Sequence, residues 1–330
     1  MGGRLRALQW VALAVVLLWC TLALYWSNLP LGFLRAAAAA AFLIGAPWLV
    51  LRYRARYRTR LWFLGAAALI LLWHLLIPAS LDRNWREDQA VPARVSIESD
   101  LVTIRNIRNF TYRTVDDFTP GYYDRSFLLS ELQSVDYAVE PFSTFSGAAH
   151  TFLTFGFKNG DHVAISIELR KEKGEDFSPL RAMFKQYELI YVIGDERDVI
   201  GLRANIRKDD VFLYPVRASP EKIRRLFREM VLRAENLATH PEFYHTFASS
   251  CTTNIVSHIN TISPRRVPFS LKVLFPGYAD ELAYELGMID TDLPLELIRN
   301  RYRINDPAGR HAGRPDFSQK IRENRPARAP

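Results

Sequence analysis

Three apolar stretches fill the first 80 residues, and they limit what the rest of the chain can be. They run Leu8–Ser27, Ala36–Leu51 and Leu61–Pro78. Each is near the roughly 20 residues needed to cross a hydrocarbon core, and none carries an interior Lys, Arg, Asp or Glu. The second is short, Ala-rich and contains Pro47; the third carries His74, which can stay neutral. Tryptophans and tyrosines near the ends (Trp10, Trp26, Trp48, Tyr53, Trp62, Trp73) suit an aromatic belt. The expectation is three transmembrane helices over residues 1–81, with the lipid bilayer as first partner.

Charge placement sets the orientation. Arg4 and Arg6 precede the first stretch, and Arg52, Arg54, Arg56, Arg58 and Arg60 lie between the second and third. Only Arg35 separates the first from the second. The positive-inside rule then puts the N-terminus and the Arg52–Arg60 loop in the cytoplasm. Three spans carry everything after Leu81 to the other side, which for a bacterial inner membrane is the periplasm. A cleaved signal peptide is disfavoured, because no small-x-small site closes the first stretch. A lipoprotein signal at Cys20 is disfavoured by Trp19, and Cys20 reads as a buried thiol within a span.

The net charge of +8 belongs to this membrane region. Of the 43 Lys and Arg, eight lie before residue 82; the remaining 35 match the 35 Asp and Glu. The soluble part is formally neutral, so the basic balance is no argument for nucleic-acid binding.

After a polar connector at Leu81–Ala93, residues 94–306 are rich in aromatic and β-branched side chains. The chain then turns to Gly, Pro, Arg and Ala, so a soluble domain over 82–306 and a disordered tail over 307–330 are expected. Val102–Tyr112 reads as a strand and Arg125–Val135 as a short helix. His150–Phe157 and His162–Arg170 read as a hairpin around Asn159-Gly160, and Leu189–Ile193 and Val211–Val216 as strands. Ser219–Leu237 is the clearest helix, with Ser219 as N-cap, Pro220 at the first position and a stripe from Ile223 to Leu237. A further helix starts near Cys251. Mixed strands with flanking helices favour an α+β fold.

Cys251 is the only cysteine outside the apolar stretches. A thiol at a helix N-terminus feels the positive end of the dipole, which favours thiolate. A cysteine nucleophile needs a base within hydrogen-bond reach, and the base needs an orienting group. His258 lies two turns along the helix, about 10 Å away, and is assigned to packing or surface. His150 is the best base because of its hairpin. A three-residue loop, Lys158-Asn159-Gly160 with Gly160 left-handed, aligns Leu153, Phe155 and Phe157 with Val163, Ile165 and Ile167 on one apolar face. It also sets His150 opposite Glu168, with Ser166 and Arg170 alongside. The competing reading is a sheet edge with a polar outer face. His150, His162 and Glu168 lack compact ligand spacing, so neither metal nor cofactor is expected. Asp195-Glu196-Arg197-Asp198 reads as a charged strand-end loop, solvated or lining a cleft through Arg197; Gly121–Arg125 reads as an aromatic loop.

Ala149-His150-Thr151-Phe152, Phe155-Gly156-Phe157, Ser166-Ile167-Glu168-Leu169-Arg170, Tyr191 with Glu196-Arg197-Asp198, and Phe243-Tyr244 with Cys251-Thr252-Thr253-Asn254 occur in this order. They resemble the Lnb N-terminal periplasmic domain family over about residues 100–280. The His-then-Cys order is similar to circularly permuted papain-like folds such as the NlpC-type group. The resemblance implies Cys251 as nucleophile, His150 as base and Glu168 as orienting residue. The family pattern often has Asn before the Cys; here Ser250 stands there, which leaves its part in an oxyanion hole open. The function so implied is a membrane-anchored cysteine hydrolase or acyltransferase acting on a cell-envelope amide or ester. The alternative is a non-catalytic scaffold or binding module that keeps the fold.

Overall fold

The computed structural model describes residues 2–53, 57–142, 145–323 and 325. They divide into two compact units.

The first unit holds three helices, α1 (Gly2–Tyr25), α2 (Gly32–Arg52) and α3 (Tyr57–Leu76), together with the segment Phe177–Tyr187. Arg6–Tyr25, Gly32–Arg52 and Tyr57–Leu76 are long and apolar enough to cross a membrane. Arg54 and Arg56 of the basic loop lie outside the described residues. Phe177–Tyr187 is distant in sequence, yet its Phe184 ring meets Trp26 at 5.2 Å and Trp19 and His74 at 6.2 Å. The Lys185 ammonium donates to the carbonyls of Leu75 and Ile77, each at 2.9 Å. A cation on the last carbonyls of a helix is the favourable sign for its dipole.

The second unit is built on an eight-stranded sheet. Its strands are β1 (Arg94–Glu98), β2 (Leu101–Arg108), β5 (Tyr122–Leu128), β6 (Leu132–Pro141), β7 (Ala149–Phe157), β8 (His162–Arg170), β9 (Glu188–Gly194) and β10 (Phe212–Pro215). β3 (Thr111–Tyr112) and β4 (Phe118–Thr119) form a separate ribbon. The sheet order is β1-β2-β9-β8-β7-β6-β10, with β5 paired to β2. The helices are α4 (Glu196–Gly201, continued as a π-helix over Leu202–Arg207), α5 (Pro220–Leu237) and α6 (Cys251–Ile262). The short helices α7 (Leu271–Leu274), α8 (Ala279–Glu285), α9 (Leu295–Tyr302), α10 (Asn305–Arg310) and α11 (Phe317–Lys320) follow. The fold is α+β, as its pattern of elements predicts.

The central hairpin takes the register that aligned apolar faces require. Phe155 pairs with Val163 and Phe152 with Ser166, and Gly160 closes the three-residue loop at φ +85°. Only a residue without Cβ adopts that left-handed conformation at little cost. α5 starts as read: Ser219 Oγ accepts from the Lys222 amide at 3.4 Å, and Pro220 occupies the first turn.

Helices cover the sheet on both sides. On one face Phe227 of α5 meets Phe155 at 5.0 Å and Phe157 at 5.7 Å, and α6 touches β7 through Thr252 and Thr151. On the other, Ala138, Phe152 and Ala164 share a core with Val199, Ile200 and Ala204 of the α4 segment and with Ala308, Phe317 and Ile321. β7 and β9 are therefore almost continuously buried.

Three expectations fail. Arg125–Val135 is not helical: it is the end of β5, a single 3-10 turn at Leu129–Glu131 and the start of β6. Pairing of β5 with β2 outweighs local propensity there. Gly121–Arg125 is no loop either, since Tyr122–Arg125 lie within β5. The third is the tail, which is ordered through Glu323, while Asn324 and residues 326–330 lie outside the described residues. Phe317 and Ile321 enter the core, and Arg322 bonds both Asp136 (2.8 Å) and Glu196, carboxylates that the folded sheet buries. Arg325 adds a second cation on Asp136 at 2.6 Å. Few apolar residues are enough when the segment supplies the counter-charges that the sheet lacks.

Removing Arg322 leaves Glu196 buried without its cation, a loss of about 3–5 kcal/mol. Arg322→Ala is therefore expected to lower the thermal midpoint of the soluble unit sharply. Arg314→Ala breaks only the exposed pair with Asp316 and is expected to shift stability by about 0.5 kcal/mol or less. Equal midpoints for the two variants in a calorimetric scan refute a structural role for the tail.

Candidate functional site

Cys251 is the first residue of α6, and Ser250 caps the helix. Ser250 Oγ accepts from the Thr253 amide at 3.4 Å, and Thr253 Oγ1 accepts from the Ser250 amide at 2.7 Å, a reciprocal capping box. The thiol is free and buried. Its Sγ lies 3.7 Å from Thr252 Oγ1, which meets Thr151 Oγ1 of β7 at 3.0 Å. Tyr137, which sequence reading passed over, and Tyr244, which it quoted only within a motif, flank the cysteine, and Tyr244 meets its backbone. Burial pushes both phenols well above their ordinary range, so both are hydroxyls at neutral pH.

His150 occupies the other face of the sheet. Continuous pairing of β6 with β7 keeps strict alternation, so His150 projects away from Thr151 and from α6. Its ring stacks on Phe152 at 5.9 Å, and its Nε2 lies 2.7 Å from Ser166 Oγ. Ser166 donates onward to Glu168 Oε1 at 2.8 Å. A carboxylate only accepts, so the hydroxyl hydrogen belongs to Glu168 and the imidazole donates through Nε2–H. Nδ1 is left with its lone pair. Register places Glu168 opposite His150, yet the link runs through Ser166, because the β7–β8 ladder stops at Phe152–Ser166.

Arg203 organises this relay. Its Nη2 donates to Glu168 Oε1 at 2.9 Å, its Nε to Glu140 Oε2 at 2.7 Å, and its guanidinium lies 5.1 Å from the Phe152 ring centre. Gln89 adds a donor to Glu168 Oε2 at 3.1 Å. Burial pushes His150 down to about 3, with the Arg203 charge adding to it, so the ring is neutral at physiological pH. Burial acts to raise Glu168, but Arg203 and the neighbouring His150 and Arg108 hold it well below the usual carboxylate range. The signal for Arg203 in the sequence is a lone cation in the apolar run Val199-Ile200-Gly201-Leu202-Arg203-Ala204.

The expected constellation therefore divides. His150, Ser166 and Glu168 come together, while Cys251 and Ser250 lie across the sheet; among the described residues no hydrogen bond joins Cys251 to His150. Ser250 spends its hydroxyl on the capping box rather than on a cleft. Arg170 is structural: it donates to the carbonyls of Gln89 (2.9 Å) and Ala90 (2.7 Å) and covers the Trp85 ring at 4.2 Å. Burial lowers it to about 10. Arg197 pairs with Asp195, the N-cap of α4. The stretch Asp195–Asp198 opens a helix instead of a solvated loop: Glu196 faces Arg322, and Asp198 binds Arg108 at 2.8 Å. His258 is assigned to packing, and it is buried with Nε2 2.8 Å from the Tyr191 hydroxyl.

Histidines held neutral by the fold make stability depend on pH in one direction. The unfolded chain binds a proton at each below about pH 6.5. The folded chain holds His150 neutral to about 3 and His258 to about 4, in both cases chiefly through burial. Stability is full above pH 6.5 and falls as pH drops through the window down to those values. Glu188, raised to about 7 by burial, works the other way, so the comparison must be between chains. The thermal midpoint of His150→Gln is expected to change less between pH 6.5 and 4.5 than that of the parent chain. Parallel midpoint curves contradict a neutral native His150.

Residues 118–277 match the family model of the Lnb N-terminal periplasmic domain. That span contains His150, Ser166, Glu168, Arg203 and Cys251, and it stops short of the tail that supplies Arg322. No curated protein and no solved structure matches the chain.

Proposed function

From the premise that this chain carries a domain of the Lnb N-terminal periplasmic family behind three helices able to span a membrane, we propose that it is a thiol-dependent hydrolase or acyltransferase of the cell envelope. In this reading the spans lie in a bacterial inner membrane, the N-terminus is cytoplasmic and the soluble unit has the permuted papain-like arrangement. The observation that carries the reading is the bond between Thr151 and Thr252. It joins the residue after His150 to the residue after Cys251, and so holds the base strand and the nucleophile helix at one point. The end of β7 beyond Phe152 is unpaired on its β8 side but stays paired to β6 through Ala149.

The chemistry follows from the groups present. His150 Nδ1, left with its lone pair by the Nε2–Ser166–Glu168 relay, takes the Cys251 proton through a bridging water or the substrate's heteroatom. Sulfur bonds to the carbonyl carbon of an amide or ester, and the first-turn amides of α6 receive the developing oxyanion. The leaving amine or alcohol departs with the proton from His150. Water, or an amine or hydroxyl of an acceptor, then cleaves the thioester. Peptidoglycan stem peptides, lipoproteins and phospholipids present such bonds.

A second reading, a binding module without catalysis, draws support from the direction of His150, whose ring faces away from α6. Iodoacetamide separates the two. In the full chain with Cys20→Ser, His150→Ala is expected to slow alkylation of Cys251 at pH 7 by about tenfold, with the deficit shrinking at pH 9. An alkylation rate indifferent to His150 at both pH values would falsify the catalytic reading. For orientation, alkaline phosphatase fused after Leu81 is expected to be active; an inactive fusion in a stable chain reverses the topology.

A further inference from the structure

Beyond α6 the chain presents a surface that the thiol chemistry does not use. Pro264 and Pro268 keep Ser263–Ser270 out of regular structure. The Asn260 side chain holds the Val267 amide at 2.7 Å, and Ser270 caps α7 through the Lys272 amide at 3.2 Å, so the segment is anchored at both ends. Between the anchors, Phe269 is 86 % exposed; Leu271 just after it is 63 % exposed. Phe275 continues the apolar surface and meets the exposed Phe145 edge to face at 6.1 Å.

The platform under these rings is stiff. The Gly277 amide donates to the Gly147 carbonyl at 3.0 Å, and a Cβ on Gly277 would lie 1.9 Å from the Ser146 carbonyl oxygen. Ser146 Oγ and the Tyr278 hydroxyl add a bond at 3.0 Å. Exposed rings on a mobile loop collapse onto the nearest apolar surface; these are held out by backbone clasps. Arg265 and Arg266 precede them, both exposed, and neither forms an ion pair among the described residues.

Single exposed hydrophobics need no explanation, but fixed aromatic and aliphatic side chains beside unpaired cations do. We propose that the Arg265–Phe275 segment with Phe145 is a membrane-contact surface that seats on anionic phospholipid. The apolar side chains enter the acyl boundary while the two guanidiniums meet phosphate. A chain tethered by three membrane-spanning helices keeps a bilayer within reach, so a shallow contact suffices. The inference stands independently of the chemistry proposed for Cys251.

The test uses the full chain reconstituted in vesicles, with Cys20→Ser and Cys251→Ser so that a label attaches only where intended. Phe269→Cys carrying a nitrobenzoxadiazole dye is expected to emit as in an apolar medium and to be quenched by doxyl-labelled lipid. Quenching should be about twofold stronger with phosphatidylglycerol in the vesicle than in phosphatidylcholine alone, and Arg265→Gln with Arg266→Gln should remove that difference. The same dye at Leu271→Cys should follow it, and at Arg225→Cys on α5 it should report water. Water-like emission at both 269 and 271 overturns the proposal. So does energy transfer between labelled copies without lipid quenching, which would assign the surface to self-association. Unaltered quenching in the double Gln chain overturns the anionic headgroup as its partner.

Discussion

Burying the Arg203 guanidinium between Glu140 and Glu168 commits the soluble unit to a series of compensations. A charge buried between a sheet and its covering helices is tolerated only when paired and hydrogen-bonded. Arg203 meets that condition with two carboxylates and the Val199 carbonyl. Glu168 in turn takes Ser166 and Gln89, and Ser166 fixes the His150 ring. The same face carries Arg108 on Asp198 and Arg322 on Asp136 and Glu196. Each charge is answered by an element distant in sequence, so the layer selects one arrangement of α4, the tail and the sheet.

This layer explains which parts of the fold the sequence discloses. The hairpin register is legible because Leu153, Phe155 and Phe157 have to meet Val163, Ile165 and Ile167, and a slip of one residue would bury the wrong set. The start of α5 is legible because Ser219 and Pro220 act locally. Which face α6 covers is not legible. His150, Thr154, Ser166 and Glu168 look like an open polar face, but α4 and the tail cover them with matching charges. Once both faces of a strand are buried, alternation stops telling cleft from core.

The tail illustrates the same limit from the other side. Its composition lacks apolar mass, which is the usual sign that a segment cannot offset its ordering entropy. Composition counts hydrophobic area and ignores electrostatic need elsewhere. Asp136 sits in an apolar context in the sequence, Val135-Asp136-Tyr137, and the Arg197 beside Glu196 pairs with Asp195 instead. Those orphan carboxylates were the available signal that a distant arginine segment had to return. The segment Phe177–Tyr187 is a parallel case: it interrupts two paired strands of the sheet and packs with the helices of the membrane unit.

The candidate site inherits its tension from these constraints. Cys251 gains its position from a helix cap and from Thr252 against Thr151; His150 gains its tautomer from Ser166 and Glu168. Neither device depends on the other, and alternation along β7 turns the two side chains to opposite faces. The relay fixes the imidazole through Nε2 and leaves the Nδ1 lone pair open to a donor, which packing of the ring on Phe152 does not by itself require. A purely structural cysteine gains nothing from standing at the first turn of a capped helix. Each half keeps a reactive feature that packing alone does not require, and the Thr151–Thr252 bond brings the halves to one strand end. In the proposed catalytic reading the bridge between them has to pass around the end of β7, which stays paired to β6 through Ala149.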